Sequence, residues 1–239
     1  MKTQIFSNKE QMAKVAAHKF AELINLKPDC VLGLATGSTP LPAYAELVSM
    51  YEQGAVDFSA VRTFNLDEYA GISREHEQSY YKFMFDNLFS KVNIKPENVH
   101  LPHPLSDDAG CAAYDAAIEK TGGIDLQLLG IGHNGHIAFI EPGDAFPEGT
   151  LIVELSQSTI DANKRFFASE NEVPKKAVSM GIGSIMKARE IMMLVTGADK
   201  AKAVNEMING EITPMCPASI LQTHPSVTVL LDEEAASLL

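Results

Sequence analysis

The chain is poor in the residues that announce a metal centre, a disulfide framework or a membrane. Among 239 residues there are three cysteines and no tryptophan. Cys30, Cys111 and Cys216 stand far apart with no C-x-x-C pair, which argues against a zinc ribbon and for reduced, buried thiols. No apolar run approaches the roughly 20 residues of a membrane span, and the opening MKTQIFSNKEQ has no signal-peptide core. Basic blocks are missing as well: 19 Lys and Arg against 31 Asp and Glu leave a formal charge of −12. Such a surface repels a phosphate backbone, so neither nucleic acid nor membrane is an expected partner and the expected location is cytoplasmic. There is no internal repeat and no low-complexity linker. The expectation is one domain over residues 1–239, with reach enough to bury a substantial core.

What is present is an alternation of helical and strand patterns. Ser7 with Glu10 reads as a capping box, and Met12, Val15, Ala16, Phe20, Leu23 and Ile24 recur at helical spacing, so a helix is expected over about Lys9 to Leu26. A buried strand, Cys30 to Ala35, runs into Thr36-Gly37-Ser38-Thr39-Pro40 and a second helix reaching about Gln53. Here Thr39 suits an N-cap and Pro40 the first helical position. Hydroxyls, free N–H groups and a helix N-terminus would suit an anion the size of a phosphate monoester; a plain capped turn fits the same residues. Val61 to Asn65 is the next strand. It empties into Asp67-Glu68-Tyr69, where Asp67 is a candidate base in a partly apolar surround and a helix cap is the ordinary alternative. Ser79 to Phe89 reads as a helix whose aromatics pack the core.

The densest polar cluster follows the apolar run Leu126 to Ile131, in the stretch GIGHNGHIAFIEPG. Gly130, Gly132 and Gly135 spell G-x-G-x-x-G, but His136 to Pro142 cannot open a helix, so the dinucleotide reading is rejected. The glycines instead permit close backbone approach, leaving Asn134, His136 and Glu141 to converge at a strand end. His133 with His136, and His100 with His103, are three apart without the helical HExxH spacing of zinc hydrolases, so a metal ranks below acid–base chemistry. Beyond lie a Gly- and Pro-rich stretch, Asp144 to Thr150, long enough for a flap, and DANKRFF, where Lys164 and Arg165 stand beside Phe166 and Phe167. Strands are expected at Ala177 to Met180, Ile191 to Thr196 and Val227 to Leu231, with Lys200 in the first turn of a helix, where a cation calls for a compensating anion. The alternation implies a single doubly wound, mostly parallel, Rossmann-like α/β sheet with helices on both faces and its site at the carboxyl ends of strands.

Taken together, LGLATGSTP, FNLDEY, GIGHNGHIAFIEPG, SMGIGSIMKAREIMMLVTGADKA and LQTHPSVTVLLDEEA resemble the glucosamine-6-phosphate deaminase family, in order and over nearly the whole chain. The 6-phosphogluconolactonases are similar in fold and share the G-H-x-A loop, but DEY and EPG separate the two. The resemblance implies deamination of glucosamine 6-phosphate to fructose 6-phosphate, without metal or cofactor. It implies His136 as the ring-opening group with Glu141 orienting it, Asp67 as the C2 base, and Asn134 positioning hydroxyls or His136. Phosphate would rest on Gly37, Ser38 and Thr39, neutralised by Arg165 and Lys200. Ile140 departs from the Asn often found there, which leaves the orientation of Glu141 open. The chain also stops soon after Asp232-Glu233-Glu234, so the expectation is a short, monomeric form with no allosteric activator.

Overall fold

The computed structural model describes residues 1–157, 160, 164, 167 and 172–239. Its frame is a sheet of seven strands: β1 (Lys2–Phe6), β2 (Val31–Leu34), β3 (Arg62–Asn65), β5 (Val99–His100), β6 (Leu126–Leu129), β9 (Glu190–Val195) and β10 (Val227–Asp232). Their order is β1-β10-β9-β6-β2-β3-β5, and every pairing is parallel. Parallel strands covered on both faces need continuous apolar runs. VLGL in β2 and LQLL in β6 are accordingly buried at every position.

The helices are α1 (Lys9–Leu26), α2 (Leu41–Glu52), α3 (Tyr80–Asn87), α4 (Asp108–Lys120), α5 (Ile182–Met186) and α6 (Ala201–Asn209). From β2 the chain steps outward through β3 to β5, then returns to the other side of β2 and steps through β6 and β9 to β10. Right-handed crossovers in opposite directions put the helices of the two halves on opposite faces. They also open a crevice between β2 and β6, where the winding reverses.

The span of α1 coincides with its helical periodicity, but its cap does not. Asn8, not Ser7, is the N-cap, and its side chain accepts from the Gln11 N–H at 2.9 Å. Two features have no counterpart in the sequence reading. Strand β1 pairs along β10 with its side chains largely exposed. A second, antiparallel sheet in the order β4-β8-β7 joins Asp67–Tyr69 (β4), Lys176–Ser179 (β8) and Leu151–Glu154 (β7). The strand expected at Ala177 to Met180 therefore belongs to this smaller sheet and not to the parallel one.

The stretch expected to be a flap, Asp144 to Thr150, is tied down at its carboxyl end. The Asp115 carboxylate accepts from the Thr150 N–H and hydroxyl, each at 2.7 Å, and Gly183 and Ser184 donate to the carbonyls of Pro147 and Glu148. Gly181 is pressed against the Gly149 carbonyl so closely that a Cβ would sit 2.1 Å from it.

Candidate active site

Four neighbouring strands of the parallel sheet, in the order β9-β6-β2-β3, deliver their carboxyl-terminal loops to one cavity of about 370 Å³. The loop after β2 contributes Thr36, Gly37, Ser38 and Thr39, the extension of β3 contributes Asp67, the loop after β6 contributes His133 and His136, and the loop after β9 contributes Thr196 and Lys200. Residues more than 130 positions apart thus meet because their strands are adjacent.

Gly37 turns through φ +98, a left-handed conformation in which any Cβ is strained. Thr39 does not cap the next helix: α2 begins at Leu41, Pro40 occupies the N-cap position, and no side chain caps it. Pro42 has no N–H and the Tyr44 N–H goes to the Pro40 carbonyl at 3.0 Å, so what the start of α2 offers the cavity is the positive end of its dipole behind the Thr36–Pro40 turn. Tyr44 braces this turn by donating its buried hydroxyl to the Ala35 carbonyl at 2.6 Å. Lys200 lines the same cavity at the start of α6, with Nζ 3.1 Å from the Asp199 carboxylate. The loop bearing it turns at Gly197 (φ +94), whose N–H donates to both oxygens of Asp232 at 3.0 and 3.1 Å. Arg165, the other cation expected for a phosphate, lies outside the described residues.

Asp67 lies on β4 with 7% of its surface exposed. Burial, with the Glu68 charge beside it, pushes its carboxyl up to about 8. A carboxylate so poorly solvated takes up a proton far more readily than one in water.

The His136 loop is built on close contacts. A Cβ on Gly132 would lie 2.1 to 2.4 Å from the imidazole atoms, so glycine is what lets the ring lie back over the chain. Ala138, at φ 51, is the one left-handed residue other than glycine among those described, and Ile137 and Ile140 flank it in a small bridge, both buried. Ile140 thus packs the core, and Glu141 is oriented by other groups. The Asn134 amide donates to Glu141 Oε2 at 2.6 Å, and the Ser156 hydroxyl donates to Oε1 at 3.0 Å.

This arrangement fixes a tautomer. A carboxylate only accepts, so the NH2 of Asn134 must face Glu141 and its carbonyl oxygen must face His136. That oxygen lies 2.8 Å from His136 Nδ1, which therefore carries the hydrogen, while Nε2 is left to exchange protons with whatever occupies the cavity. Glu141 is 3.6 Å from Nδ1, so its hold on the ring runs chiefly through Asn134. The His136 imidazole, against the penalty of burial and with help from Asn134 and Ser156, draws the Glu141 carboxyl down to about 2.

Sequence reasoning passed over two residues, one lining the cavity and one behind it. Tyr80 was expected in the core among other aromatics, yet it lines the cavity while stacking on Phe139 at 5.9 Å and packing at a tilt against Tyr69 at 4.8 Å. Ser156 carried no signal, because its role depends on where β7 ends. Of the second histidine pair, His100 stacks on Phe64 at 4.5 Å and His103 accepts from the Leu105 N–H. Among the described residues no group of three or more His, Cys, Asp or Glu side chains could hold a metal ion, and no helix is long and apolar enough to cross a membrane.

Comparison with known proteins gives a consistent picture. The sequence pattern of the family described as glucosamine-6-phosphate isomerases/6-phosphogluconolactonase matches residues 7–230. Glucosamine-6-phosphate deaminases of Thermoanaerobacter pseudethanolicus and Clostridium perfringens are 54% and 51% identical to this chain over its full length, covering 95% and 100% of theirs. The solved structure of a monomeric glucosamine-6-phosphate deaminase superposes with a TM-score of 0.96 at 43% identity, covering both chains entirely. A 6-phosphogluconolactonase of Thermotoga maritima superposes with a TM-score of 0.77 over 97% of this chain and 99% of its own, at 20% identity, a likeness of fold alone.

Proposed function

The chain belongs to the glucosamine-6-phosphate isomerase and 6-phosphogluconolactonase family, and from that membership we infer its chemistry. It is an enzyme that converts glucosamine 6-phosphate and water to fructose 6-phosphate and ammonium. The observation that carries the assignment of residues is that Asp67, His136 and Lys200 open on one cavity.

The phosphate rests on the Gly37, Ser38 and Thr39 turn, at the positive end of the α2 dipole, with Lys200 and Arg165 balancing its charge. Lys200, which already has the Asp199 carboxylate 3.1 Å away, then meets a second anion in the phosphate. His136, its Nδ1–H held by Asn134, moves the proton between O1 and O5 through Nε2 as the pyranose ring opens to the aldehyde. Asp67 takes the C2 proton, and the electron pair moves into the C1 carbonyl to give the enolamine. Protonation at C1 by the same carboxyl gives the C2 imine, to which water adds and from which ammonia leaves. A proton on carbon needs a strong base, and burial of Asp67 provides one.

The whole chain acts as one sugar-phosphate domain, working as a monomer in the cytoplasm without nucleic-acid or membrane partners and without an allosteric activator. Lactone hydrolysis is the rival reaction within the family, and ammonium release from glucosamine 6-phosphate against hydrolysis of 6-phosphogluconolactone separates them. Asp67→Asn tests the assignment. Binding of the sugar phosphate is expected to survive while exchange of the C2 hydrogen with solvent disappears. Full exchange in that variant would remove Asp67 from the mechanism.

A further inference from the structure

Next to Asp67 on β4 stands a second acid, Glu68, with none of its surface exposed. Successive residues of a strand face opposite ways, so while Asp67 lines the cavity, Glu68 points behind it. There its carboxylate accepts three backbone N–H groups. Oε1 receives those of Tyr69 at 2.8 Å and Tyr80 at 2.9 Å, and Oε2 receives that of Tyr81 at 2.9 Å. Ser79 takes the next one, from Lys82, at 3.0 Å. Glu68 and Ser79 together therefore satisfy every N–H of the first turn of α3. Burial raises the Glu68 carboxyl above its ordinary range, opposed by the three N–H groups and the nearby Arg74; a carboxyl that only accepts has no hydrogen to place, so the geometry favours the ionised form, with the positive end of α3 beside it.

We propose that Glu68 is a positioning residue for the base: its buried carboxylate fastens the strand bearing Asp67 to the first turn of the helix bearing Tyr80, and it keeps a fixed negative charge behind Asp67. This rests on the deaminase reading above. Two consequences follow from the geometry. The Asp67 carboxyl and the Tyr80 ring keep their places in the cavity together, because the Tyr80 N–H and the strand share one anchor. The fixed charge also makes Asp67 a stronger base than burial alone would. Burial, Tyr69 and the Asp67 charge in turn raise the Tyr80 hydroxyl well above its ordinary range, the mark of close approach. The other titratable groups on this cavity, or close enough to act on Asp67, are Tyr114 of α4, His133 and His136 of the loop after β6, and Lys200. None of these is bonded to the strand that carries Asp67 as Glu68 is.

The test uses the full chain with Glu68→Gln and Glu68→Asp, following ammonium release and C2 exchange against pH. Glu68→Gln removes the charge, so the acid limb is expected to move down by about one pH unit. Its kcat should fall about tenfold while KM stays within about twofold, because the phosphate loops do not touch Glu68. Glu68→Asp keeps the charge on a shorter arm: the limb stays in place and kcat falls. A folded Glu68→Gln with the wild-type limb and kcat would overturn the proposal, and so would a KM that rises in step with the loss of kcat. A wild-type readout guards against variants that do not fold. In carboxyl carbon-13 spectra Glu68 should remain ionised while Asp67 titrates, and a protonated Glu68 in that range would equally overturn it. Absence of ammonium release from the wild-type chain would instead count against the deaminase reading.

Discussion

Asn134 accepts the Nδ1–H of His136 across 2.8 Å and is the residue that orients the imidazole. Its amide nitrogen is held in turn by Glu141 at 2.6 Å, so the carboxylate reaches the ring through an intermediary. Replacing Asn134 with alanine should release the tautomer and lower kcat by roughly 10²-fold, with KM nearly unchanged. Steady-state kinetics check this, and an unaltered kcat would mean that Glu141 alone suffices.

The ring position also depends on a residue with no side chain. Gly132→Ala brings a methyl group within 2.4 Å of the imidazole and must push it toward the cavity. Since a displacement of about 1 Å can cost about 10²-fold in rate, the variant should fold with a melting temperature near that of the wild type and lose most of its kcat. Calorimetry beside kinetics separates the two effects.

Asp67 makes the enzyme depend on pH in two opposite ways. Its carboxyl titrates near 8 in the fold and near 3.8 in the unfolded chain. The base works only when ionised, so kcat/KM should climb as pH rises and level off above about pH 8. Stability runs the other way: between the two values the folded state holds a proton that the unfolded state has shed, so this residue destabilises the fold progressively as pH rises. Denaturant titrations should therefore find Asp67→Asn more stable than the wild type at pH 8, with the advantage vanishing near pH 4.

Glu141 behaves in the opposite sense. Drawn down to about 2 from its ordinary 4.5, it contributes stability above pH 4.5 that is lost as pH falls toward 2. Glu141→Gln should flatten that part of the stability profile, and an unchanged acid transition would show that Glu141 has no such role.

Lys200 should act on binding more than on chemistry. Removal of a charge-assisted contact worth roughly 1.5 to 3 kcal/mol predicts that Lys200→Ala raises KM for the sugar phosphate by at least about tenfold. Inorganic phosphate should weaken as an inhibitor in step, and equal inhibition of both enzymes would remove Lys200 from the phosphate site.

How legible these features were depended on their range along the chain. The bounds of α1 and the run of β6 follow from periodicity alone, and the groups at the ends of β2, β3, β6 and β9 could be named because polar residues there interrupt apolar runs. The smaller sheet was not readable. Asp67–Tyr69 is too short to show an alternation, and its partner Ala177 to Ser179 lies more than 100 residues away. Tyr80 was hidden for another reason: its helical spacing matches its aromatic neighbours, and spacing alone does not say which of those rings meets the cavity. The cap at Asn8 was missed because Ser7 is an equally good residue one position early, and the start of α2 was misplaced because Thr39 is a good cap residue while the helix begins one position later, at Leu41, with no side-chain cap.

The smaller sheet gives the molecule two foundations. The turn that would grip a phosphoryl group and the loop bearing Lys200 stand on the wide parallel sheet. Asp67 stands on β4, and the Ser179 hydroxyl of β8 accepts the Phe139 N–H, steadying the histidine loop from the same side. Three short strands unfasten more easily than seven. Warming should therefore silence turnover before the protein lets go of its ligand, leaving a catcher that no longer converts what it catches.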